Sequence, residues 1–224
     1  MSNLTYIDLG RCACEPALAR QLELSDRVRR QAGGDGWLLL VEHDPPVITL
    51  GRKSKPDHVL ASEQQLTALG VTVHSVSRGG DVTWHGPGQL AAYPIIPLRR
   101  RGLGIGEYLR GLEEAVLRTM RRFGIVAGRI DGLTGVWAGE EKLAAIGVAV
   151  RGGVTCHGLA LNVCPDLRGF DLIVPCGIEG KGVASMQRLL GRAVMVDEVK
   201  QPLAQELAAV LGFTRLRREG DDGP

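Results

Sequence analysis

Cys176 and Lys142 are two side chains of this sequence that could do chemistry. Cys176 lies in the run VPCGIEGKG, between a proline and a glycine. Because Pro175 fixes its own φ and Gly177 leaves the sulfur unobstructed, this setting suits an exposed thiol better than a core one. Lys142 follows two glutamates at the predicted tip of a hairpin. Local sequence alone leaves simpler alternatives open, in which Cys176 is a small core residue and Lys142 is a solvated surface lysine.

A glycine-rich stretch, RGGDVTWHGPGQ at 78–89, has the composition of a ligand-binding wall. It separates two predicted strands, an alternating run at 71–77 and an apolar run at 90–98. The members that we single out are the polar side chains and glycines Arg78, Thr83, His85, Gly79, Gly80, Gly86 and Gly88. Because glycine lets the backbone approach a ligand and leaves N–H groups free, we expect these glycines to face the ligand. His85 is either a general base or a structural histidine bonded to a neighbouring loop.

Three segments of the chain resemble the lipoate-protein ligase B family, the octanoyl-(acyl-carrier-protein):protein N-octanoyltransferases. The stretch at 78–89 is similar to that family's signature of RGG, two residues, T, an aromatic residue, H, one residue and PGQ. EEKLAAIGVAVRGGVTCHGLALNV at 140–163 and VPCGIEGKGVASM at 174–186 follow in the family's order. Together the matches extend from about His43 to Gly191, with Trp84 at a position where tyrosine is common.

The resemblance implies a Cys–Lys dyad. In the family, the cysteine of the P-C-G segment accepts the acyl group, and a lysine in the pattern K-x-A-x-x-G lies against its thiol. KLAAIG carries that pattern here, which assigns the two roles to Cys176 and Lys142. An ammonium group favours the thiolate, but lowering a thiol pKa from about 8.5 to about 7 accelerates attack less than roughly tenfold. Since enzymes accelerate reactions by at least ~10⁶, we expect Lys142 also to move protons.

The resemblance also maps the family's substrate-binding segments onto this chain. Two of these segments are small and apolar, as a slot for a fatty chain requires. Burial of the methylenes of an octanoyl group would contribute about 5 kcal/mol. The implied binding residues are Arg78, Gly79, Gly80, Asp81, Val82, Thr83, Trp84, His85, Ala145, Ile146, Gly147, Gly158, Leu159 and Ala160.

The activity that the resemblance implies is transfer of an octanoyl or lipoyl group from acyl carrier protein to a lysine of lipoyl domains, the first step of endogenous lipoate biosynthesis. The acceptors would be the lipoyl domains of 2-oxoacid dehydrogenases and the glycine cleavage H protein. The acyl group would pass through a thioester on Cys176. Because thioester exchange is nearly neutral in free energy and formation of an amide from a thioester is downhill, we expect no ATP and no cofactor.

Two functions of other kinds are the alternatives. An ATP-dependent lipoate or biotin ligase has a related fold and a comparable lysine, but it activates the acid as an adenylate and needs no nucleophilic cysteine. A catalytically silent protein that binds acyl carriers or lipoyl domains would keep the pocket without the dyad. Cys176 argues against the ligase, and the presence of both Cys176 and Lys142 argues against the silent protein.

Composition and motif spacing exclude several other classes. A net charge of +2 is too small to indicate nucleic acid as a partner. No apolar run approaches the ~18 residues of a membrane span, and the first residues lack a signal-peptide pattern, so we expect a cytoplasmic protein without a membrane partner. GLGIGE at 102–107 and GRKS at 51–54 depart from the dinucleotide and P-loop motifs. The five cysteines have no zinc-ligand spacing, and their odd number does not indicate a disulfide framework.

The residue pattern predicts one catalytic domain over residues 1–224, of the α+β class, with a mixed or antiparallel sheet and flanking helices. The resemblance implies the fold of biotin and lipoate protein ligases. Apolar spacings of three and four, together with caps, predict helices at 16–30, 62–69, 109–123 and 195–211. Apolar runs predict strands at 37–42, 47–50, 71–77, 90–98, 135–137, 143–150 and 154–163, the last three consecutive and antiparallel. We expect a frayed polar tail from about residue 216.

Arginines gather around one turn and one helix end. The cluster consists of Arg99, Arg100, Arg101, Arg121 and Arg122. It predicts either a docking patch for an acidic carrier protein or a solvated turn and helix face.

Overall fold

A mixed sheet of eight strands forms the centre of the computed structural model, which describes residues 2–175 and 180–220. The strands are β1 (Asn3–Cys12), β2 (Gly36–His43), β3 (Val47–Leu50), β4 (Thr72–Ser75), β5 (Val82–His85), β6 (Gln89–Ile95), β7 (Gly128–Ile130), β8 (Leu133–Ala138), β9 (Glu141–Arg151), β10 (Val154–Asn162) and β11 (Arg215–Arg218). The large sheet has the order β11-β1-β2-β6-β10-β9-β8-β7, and a second sheet has the order β4-β3-β5. The predicted α+β class is confirmed.

Five α-helices accompany the sheets in the described part of the chain: α1 (Cys14–Arg30), α2 (Glu63–Ala68), α3 (Ile105–Arg122), α4 (Met186–Leu190) and α5 (Val196–Val210). The four predicted helices are confirmed with small shifts at their ends. Ser62 caps α2 as predicted, because its side chain accepts from the Gln65 N–H while the Gln65 side chain accepts from the Ser62 N–H. None of the helices in the described ranges is long and apolar enough to cross a membrane.

Strand β2 is buried along its whole length because helices cover both faces of the large sheet. Leu38 and Leu40 pack into a core with α3 and α5, whereas Leu39 and Val41 pack into a second core with α1. A strand in the middle of three layers needs apolar residues on both faces, which explains the continuous run WLLLV.

Strand β5 corrects one prediction from the sequence. The stretch 78–89 was expected to run as a loop between two strands, but its residues Val82–His85 pair antiparallel with β3, from Val47 opposite His85 to Leu50 opposite Val82. Four residues between glycines are too few for an apolar alternation to show. A third apolar core under this small sheet contains Trp84 and Phe170.

The order of the later strands is confirmed, whereas the chain termini depart from the prediction. β8, β9 and β10 are consecutive and antiparallel. The sequence gives no clear signal for β1 or β7. The frayed tail predicted from about residue 216 is wrong for the segment through Arg218, since β11 pairs in parallel with β1.

The arginine cluster around the turn before α3 is largely occupied by internal contacts. Arg101 donates to the carbonyl oxygens of Gly34 at 2.7 Å and Leu211 at 2.6 Å, and its guanidinium lies over the ring of Phe213. Arg100 donates to the carbonyls of Val28 and Gln31, the last turn and cap of α1. Arg121 and Arg122 pair with the carboxylates of Glu114 and Glu206. Arg100, Arg101 and Arg122 thus connect separate elements, whereas Arg121 pairs within α3. These contacts argue against the docking patch, although the turn is not simply solvated as the other alternative supposes.

Candidate active site

A cavity of about 350 Å³ lies between the two sheets, and most of the predicted binding residues line it. The predicted residues in its lining are Arg78, Gly79, Gly80, Asp81, Thr83, His85, Lys142, Ala145, Ile146, Gly147, Gly158, Leu159 and Ala160. The glycine-rich stretch supplies one wall, and β9 and β10 supply the other. Cys176 lies outside the described residues, so its role stays a prediction.

Val82 and Trp84 do not line this cavity, because side chains alternate along β5 and these two face the other way. The Trp84 ring packs edge-on against Phe170, with 5.3 Å between ring centroids. Gly86 and Gly169 lie so close to this ring that a Cβ at either position would overlap it. The expectation that Gly86 brings backbone to the ligand is therefore corrected: this glycine makes room for the tryptophan.

Gly88 is also used for packing and not for the cavity. Its φ is +84°, and a Cβ there would lie 2.5 Å from the carbonyl oxygen of Cys164. Its N–H donates to the carboxylate of Glu42 at 3.0 Å. Of the four glycines in the stretch, only Gly79 and Gly80 are part of the cavity wall.

Arg78 is buried and held in one orientation by Thr49. Its Nε donates to the Thr49 hydroxyl at 3.2 Å, and its Nη2 donates to the Thr49 carbonyl oxygen at 2.6 Å. The arginine stem passes over Gly147, where a Cβ would lie 3.0 Å from Arg78 Cδ. Gly147 of β9 thus makes room for the stem of Arg78. The charge of this arginine is held at a fixed place in the cavity wall.

Lys142 is 7% exposed, which contradicts the alternative of a solvated lysine. Its Nζ lies 4.7 Å from the ring centroid of Trp137, a distance typical of a cation–π contact. Within the described ranges, no carboxylate lies within salt-bridge distance of this ammonium. The backbone of Lys142 donates to Gly182 O and accepts from Ala184 N, both at 2.9 Å. The segment that follows Cys176 therefore returns to the strand that carries the lysine.

An irregularity in β8 sets the position of Trp137 beneath Lys142. Gly135 has φ +127°, and a Cβ there would lie 2.7 Å from the Ala144 carbonyl oxygen. The strand register with β9 shifts between Val136 and Trp137. The Gly135 N–H donates to Glu113 Oε1 at 3.1 Å. A carboxylate of α3 thus fixes the path of the strand that supports the lysine.

Glu113 is a buried anion with its charge neutralised locally. Its side chain is 1% exposed, and Oε2 accepts from Arg110 at 2.7 Å and from Arg129 at 3.0 Å. The next residue, Glu114, also pairs with Arg129, at 2.9 Å, but its side chain is 26% exposed. The two neighbours therefore differ in burial while they share one arginine.

Three histidines of the cavity are held in their neutral forms by burial. Desolvation lowers the pKa of His43 to about 4 and that of His85 to about 3. Desolvation and the charge of Arg78 lower the pKa of His157 to about 4. His43 Nε2 lies 2.8 Å from the hydroxyl of Tyr93, and burial raises the pKa of that phenol. An efficient general base has a pKa near the working pH, so the structural alternative for His85 is favoured.

A chain of side-chain amides fixes the tautomer of His85. Gln89 Nε2 donates to Asn162 Oδ1 at 2.9 Å, and Asn162 Nδ2 donates to Ala184 O at 3.0 Å. Gln89 Oε1 must therefore accept from His85 Nδ1, at 2.6 Å. The unprotonated Nε2 points toward Thr49 and lies 3.5 Å from its hydroxyl oxygen. The amide network links the glycine-rich stretch to the residues that pair with Lys142.

Sequence reasoning missed several residues of the lining because their chemistry depends on which strand face meets the cavity. The missed residues include Gln21, His43, Thr49, Tyr93 and His157. One of them has a local peculiarity: His157 has φ +59° in the middle of β10, and its N–H donates to Gln21 Oε1 at 2.8 Å. Across residues 2–175 and 180–220, no group of three or more His, Cys, Asp or Glu side chains is arranged to hold a metal ion.

The sequence matches the profile of one protein family over most of its length. That family is described as the lipoyl protein ligase A/B catalytic domain, and the match covers residues 14–208. A curated octanoyltransferase of Chloroflexus aurantiacus (strain ATCC 29366 / DSM 635 / J-10-fl) is 51% identical over 217 residues. That alignment covers 95% of this chain and 96% of the relative.

Solved structures of two ligase types share the fold. The first belongs to an archaeal lipoylation system, a bipartite lipoate protein ligase and its E2 lipoyl domain from Thermoplasma acidophilum. It has a TM-score of 0.76 at 19% identity and covers 97% of this chain and 87% of that chain. The apo structure of biotin protein ligase from Aquifex aeolicus has a TM-score of 0.51 at 10% identity and covers 94% and 69%. The expected fold of lipoate and biotin ligases is confirmed.

The buried histidines predict how stability depends on pH. In the unfolded chain they take up protons near pH 6.5, whereas in the folded protein His43, His85 and His157 remain neutral down to a pH of about 3 to 4. The free energy of unfolding should therefore fall as the pH decreases below about 6.5, by up to about 4 kcal/mol per pH unit if all three contribute. Urea unfolding at pH 7, 6 and 5 measures this slope. His85→Gln should reduce it by about a third, and an unchanged slope in that variant would contradict the assignment.

Glu113 and Glu114 form a matched pair for a stability measurement. Glu113→Ala leaves the buried Gly135 N–H without an acceptor and removes the carboxylate that Arg110 and Arg129 share, so it should lower the free energy of unfolding by about 2 to 3 kcal/mol. Glu114→Ala removes a solvent-screened partner of the same Arg129 and should cost less than about 1 kcal/mol. Denaturant titration of both variants makes the comparison. Equal losses would show that the buried carboxylate has no special role in fixing β8.

Proposed function

The chain belongs to the lipoyl protein ligase A/B catalytic-domain family, in its octanoyltransferase branch, and we propose that it transfers an octanoyl group from acyl carrier protein to a lysine of lipoyl domains. The observation that carries the proposal is the identity of 51% with an octanoyltransferase over 95% of this chain. The proposed acceptors are the lipoyl domains of 2-oxoacid dehydrogenases and the glycine cleavage H protein. The proposed nucleophile is Cys176, assisted by Lys142.

The anchoring of the residues around Cys176 supports this role. Before it, Val174 N donates to the His58 carbonyl oxygen at 2.9 Å, and His58 Nδ1 lies 2.5 Å from the Asp81 carboxylate of the cavity wall. After it, Gly182 O accepts from Lys142 N. The described residues on both sides of Cys176 are thus tied to the rim of the same cavity.

The proposed reaction has two steps in which atoms and charge balance. In the first, the Cys176 sulfur attacks the thioester carbon of the donor, a new thioester forms, and the thiolate of the carrier leaves. Lys142 accepts the proton of the Cys176 thiol and returns it to the departing thiolate. In the second, the amine of the acceptor lysine attacks, an amide forms, and the Cys176 thiolate leaves. Lys142 takes the proton lost by the amine and gives it to Cys176.

The environment of Lys142 suits this proton transfer. A buried amine is restrained by packing, and the Trp137 face attracts its charged form. The ammonium also favours the thiolate of Cys176, with a gain of less than roughly tenfold at neutral pH. Most of the contribution expected from Lys142 therefore lies in moving protons and in stabilising developing charge.

The apolar part of the cavity suits a saturated acyl chain. Ala145, Ile146, Leu159 and Ala160 line it with small and medium side chains. Gly158 is a glycine for a different reason, since a Cβ there would overlap the Ala92 carbonyl oxygen of β6. Burial of the octanoyl methylenes against these residues contributes about 5 kcal/mol, which favours a fatty acyl group over a polar one.

Intact-protein mass spectrometry distinguishes this proposal from an ATP-dependent ligase. Wild type mixed with octanoyl-acyl carrier protein, without ATP, should gain one octanoyl group that hydroxylamine removes and that a lipoyl domain accepts. Cys176→Ser should form no hydroxylamine-labile thioester. If wild type gains no adduct and a lipoyl domain is octanoylated only with free octanoate and ATP, the chain is a ligase and Cys176 is not a nucleophile.

A lysine substitution tests the second member of the dyad. Lys142→Met keeps the buried aliphatic stem and removes the ammonium, and both half-reactions should slow by more than about 100-fold. Rapid-quench measurement of adduct formation and of transfer to the lipoyl domain gives the two rates. The matched control is Lys181→Met, because Lys181 pairs with Glu140 and should leave both rates within about threefold. Rates within tenfold of wild type for Lys142→Met would remove the lysine from the mechanism.

A further inference from the structure

A short basic segment lies at the mouth of the cavity. It is residues 51–55, GRKSK, in which Arg52, Lys53 and Lys55 are exposed and Lys53 also lines the cavity. We call these three side chains the basic rim. Lysine is rare in this chain, with five among 224 residues, and two of the five occur here. Their position at the entrance therefore needs an explanation.

The basic rim is fixed to the cavity wall by its backbone. Arg52 N donates to Arg78 O and Lys53 N donates to Gly80 O, both at 3.0 Å. Gly51 lies so close to this wall that a Cβ would be 2.5 Å from the Gly80 carbonyl oxygen. The cations are thus presented at a defined place beside the entrance and not on a freely moving loop.

The charges of the basic rim are not used inside the described part of the chain. Among residues 2–175 and 180–220, no carboxylate pairs with Arg52, Lys53 or Lys55. By contrast, Arg100 and Arg101 of the turn before α3 donate to backbone carbonyls. Asp57 is the acidic residue within 51–57, and it is exposed, which leaves a net charge of +2 from three cations and one anion. The Asp81 carboxylate at the same edge is paired with His58.

We propose that the basic rim docks the donor carrier protein, by attraction to the anionic groups that flank its acylated arm. This inference rests on the proposed function and specifies how the donor of that reaction is recognised. An acyl carrier protein holds its thioester on an arm joined through a phosphodiester, so an anion accompanies every donor acyl group. The acceptor brings a lysine that attacks as a neutral amine, and this side chain carries no such anion. The charge of the rim therefore fits the arm of the donor.

The test compares two charge-matched double variants. Arg52→Gln/Lys55→Gln removes the two charges of the rim that do not line the cavity. Arg30→Gln/Arg151→Gln removes two exposed charges elsewhere, at the end of α1 and at the end of β9 opposite to Lys142. Thermal unfolding of both variants confirms that they fold. The rate of Cys176 acylation is measured with octanoyl-acyl carrier protein and with octanoyl-pantetheine, an uncharged donor with the same thioester.

The expected result is specific to the charged donor. The rim variant should lose about tenfold in kcat/KM for octanoyl-acyl carrier protein at low ionic strength, and the loss should shrink at about 0.5 M salt as the charges are screened. Its rate with octanoyl-pantetheine and its transfer to a lipoyl domain should stay within about twofold of wild type. The control variant should stay within about twofold in all assays.

Three outcomes would overturn the docking proposal. These are an unchanged rate with the carrier protein, an equal loss with octanoyl-pantetheine, and a loss confined to the step with the lipoyl domain. Failure of the proposed function has a separate signature, because wild type would then form no Cys176 adduct with either donor.

Discussion

The exchange of two backbone hydrogen bonds between Lys142 and residues 182–184 is the interaction on which the site depends. It joins the start of β9 to the chain that follows the proposed nucleophile. The same segment accepts the amide of Asn162, which is bonded to Gln89, which in turn orients His85. Because these buried polar groups satisfy each other, none can move without leaving another unpaired. The glycine-rich stretch and strand β9 are therefore held in fixed positions relative to each other.

Burial sets the charge of the cavity as well as its shape. Its histidines stay neutral at physiological pH, so the cationic character of the lining comes from Lys53, Arg78 and Lys142, with Asp81 as the anionic member. In a site shielded from water, such fixed charges act more strongly than they would in solution. An excess of positive charge is suited to a reaction that passes through a thiolate and a negatively charged tetrahedral intermediate.

Features that depend on local periodicity could be predicted well from the sequence. Features that depend on which side of a strand faces the cavity were predicted poorly. The helices followed from spacings of three and four, because an amphipathic stripe extends over several turns. Trp84 and Thr83 are neighbours in one motif, yet Trp84 faces the third apolar core and Thr83 faces the cavity. Only the pairing of β5 with β3 decides which side chain faces the cavity. The two glutamates before Lys142 suggest an exposed hairpin tip, so the burial of this lysine could not be predicted from the sequence. Arg101 looked like a surface charge, although its partners are backbone carbonyls distant in the sequence.

The outer strands of the large sheet affect whether molecules of this protein associate edge to edge at high concentration. β7 is three residues long and β11 is four, and both contain arginine, one in GRI and three in RLRR. A sheet that ended in a long, apolar strand would offer unpaired backbone groups to the edge of another molecule. Short edges offer few such groups, and charged side chains along them disfavour pairing with another strand. The two edge strands of the large sheet thus disfavour its extension from one molecule into the next.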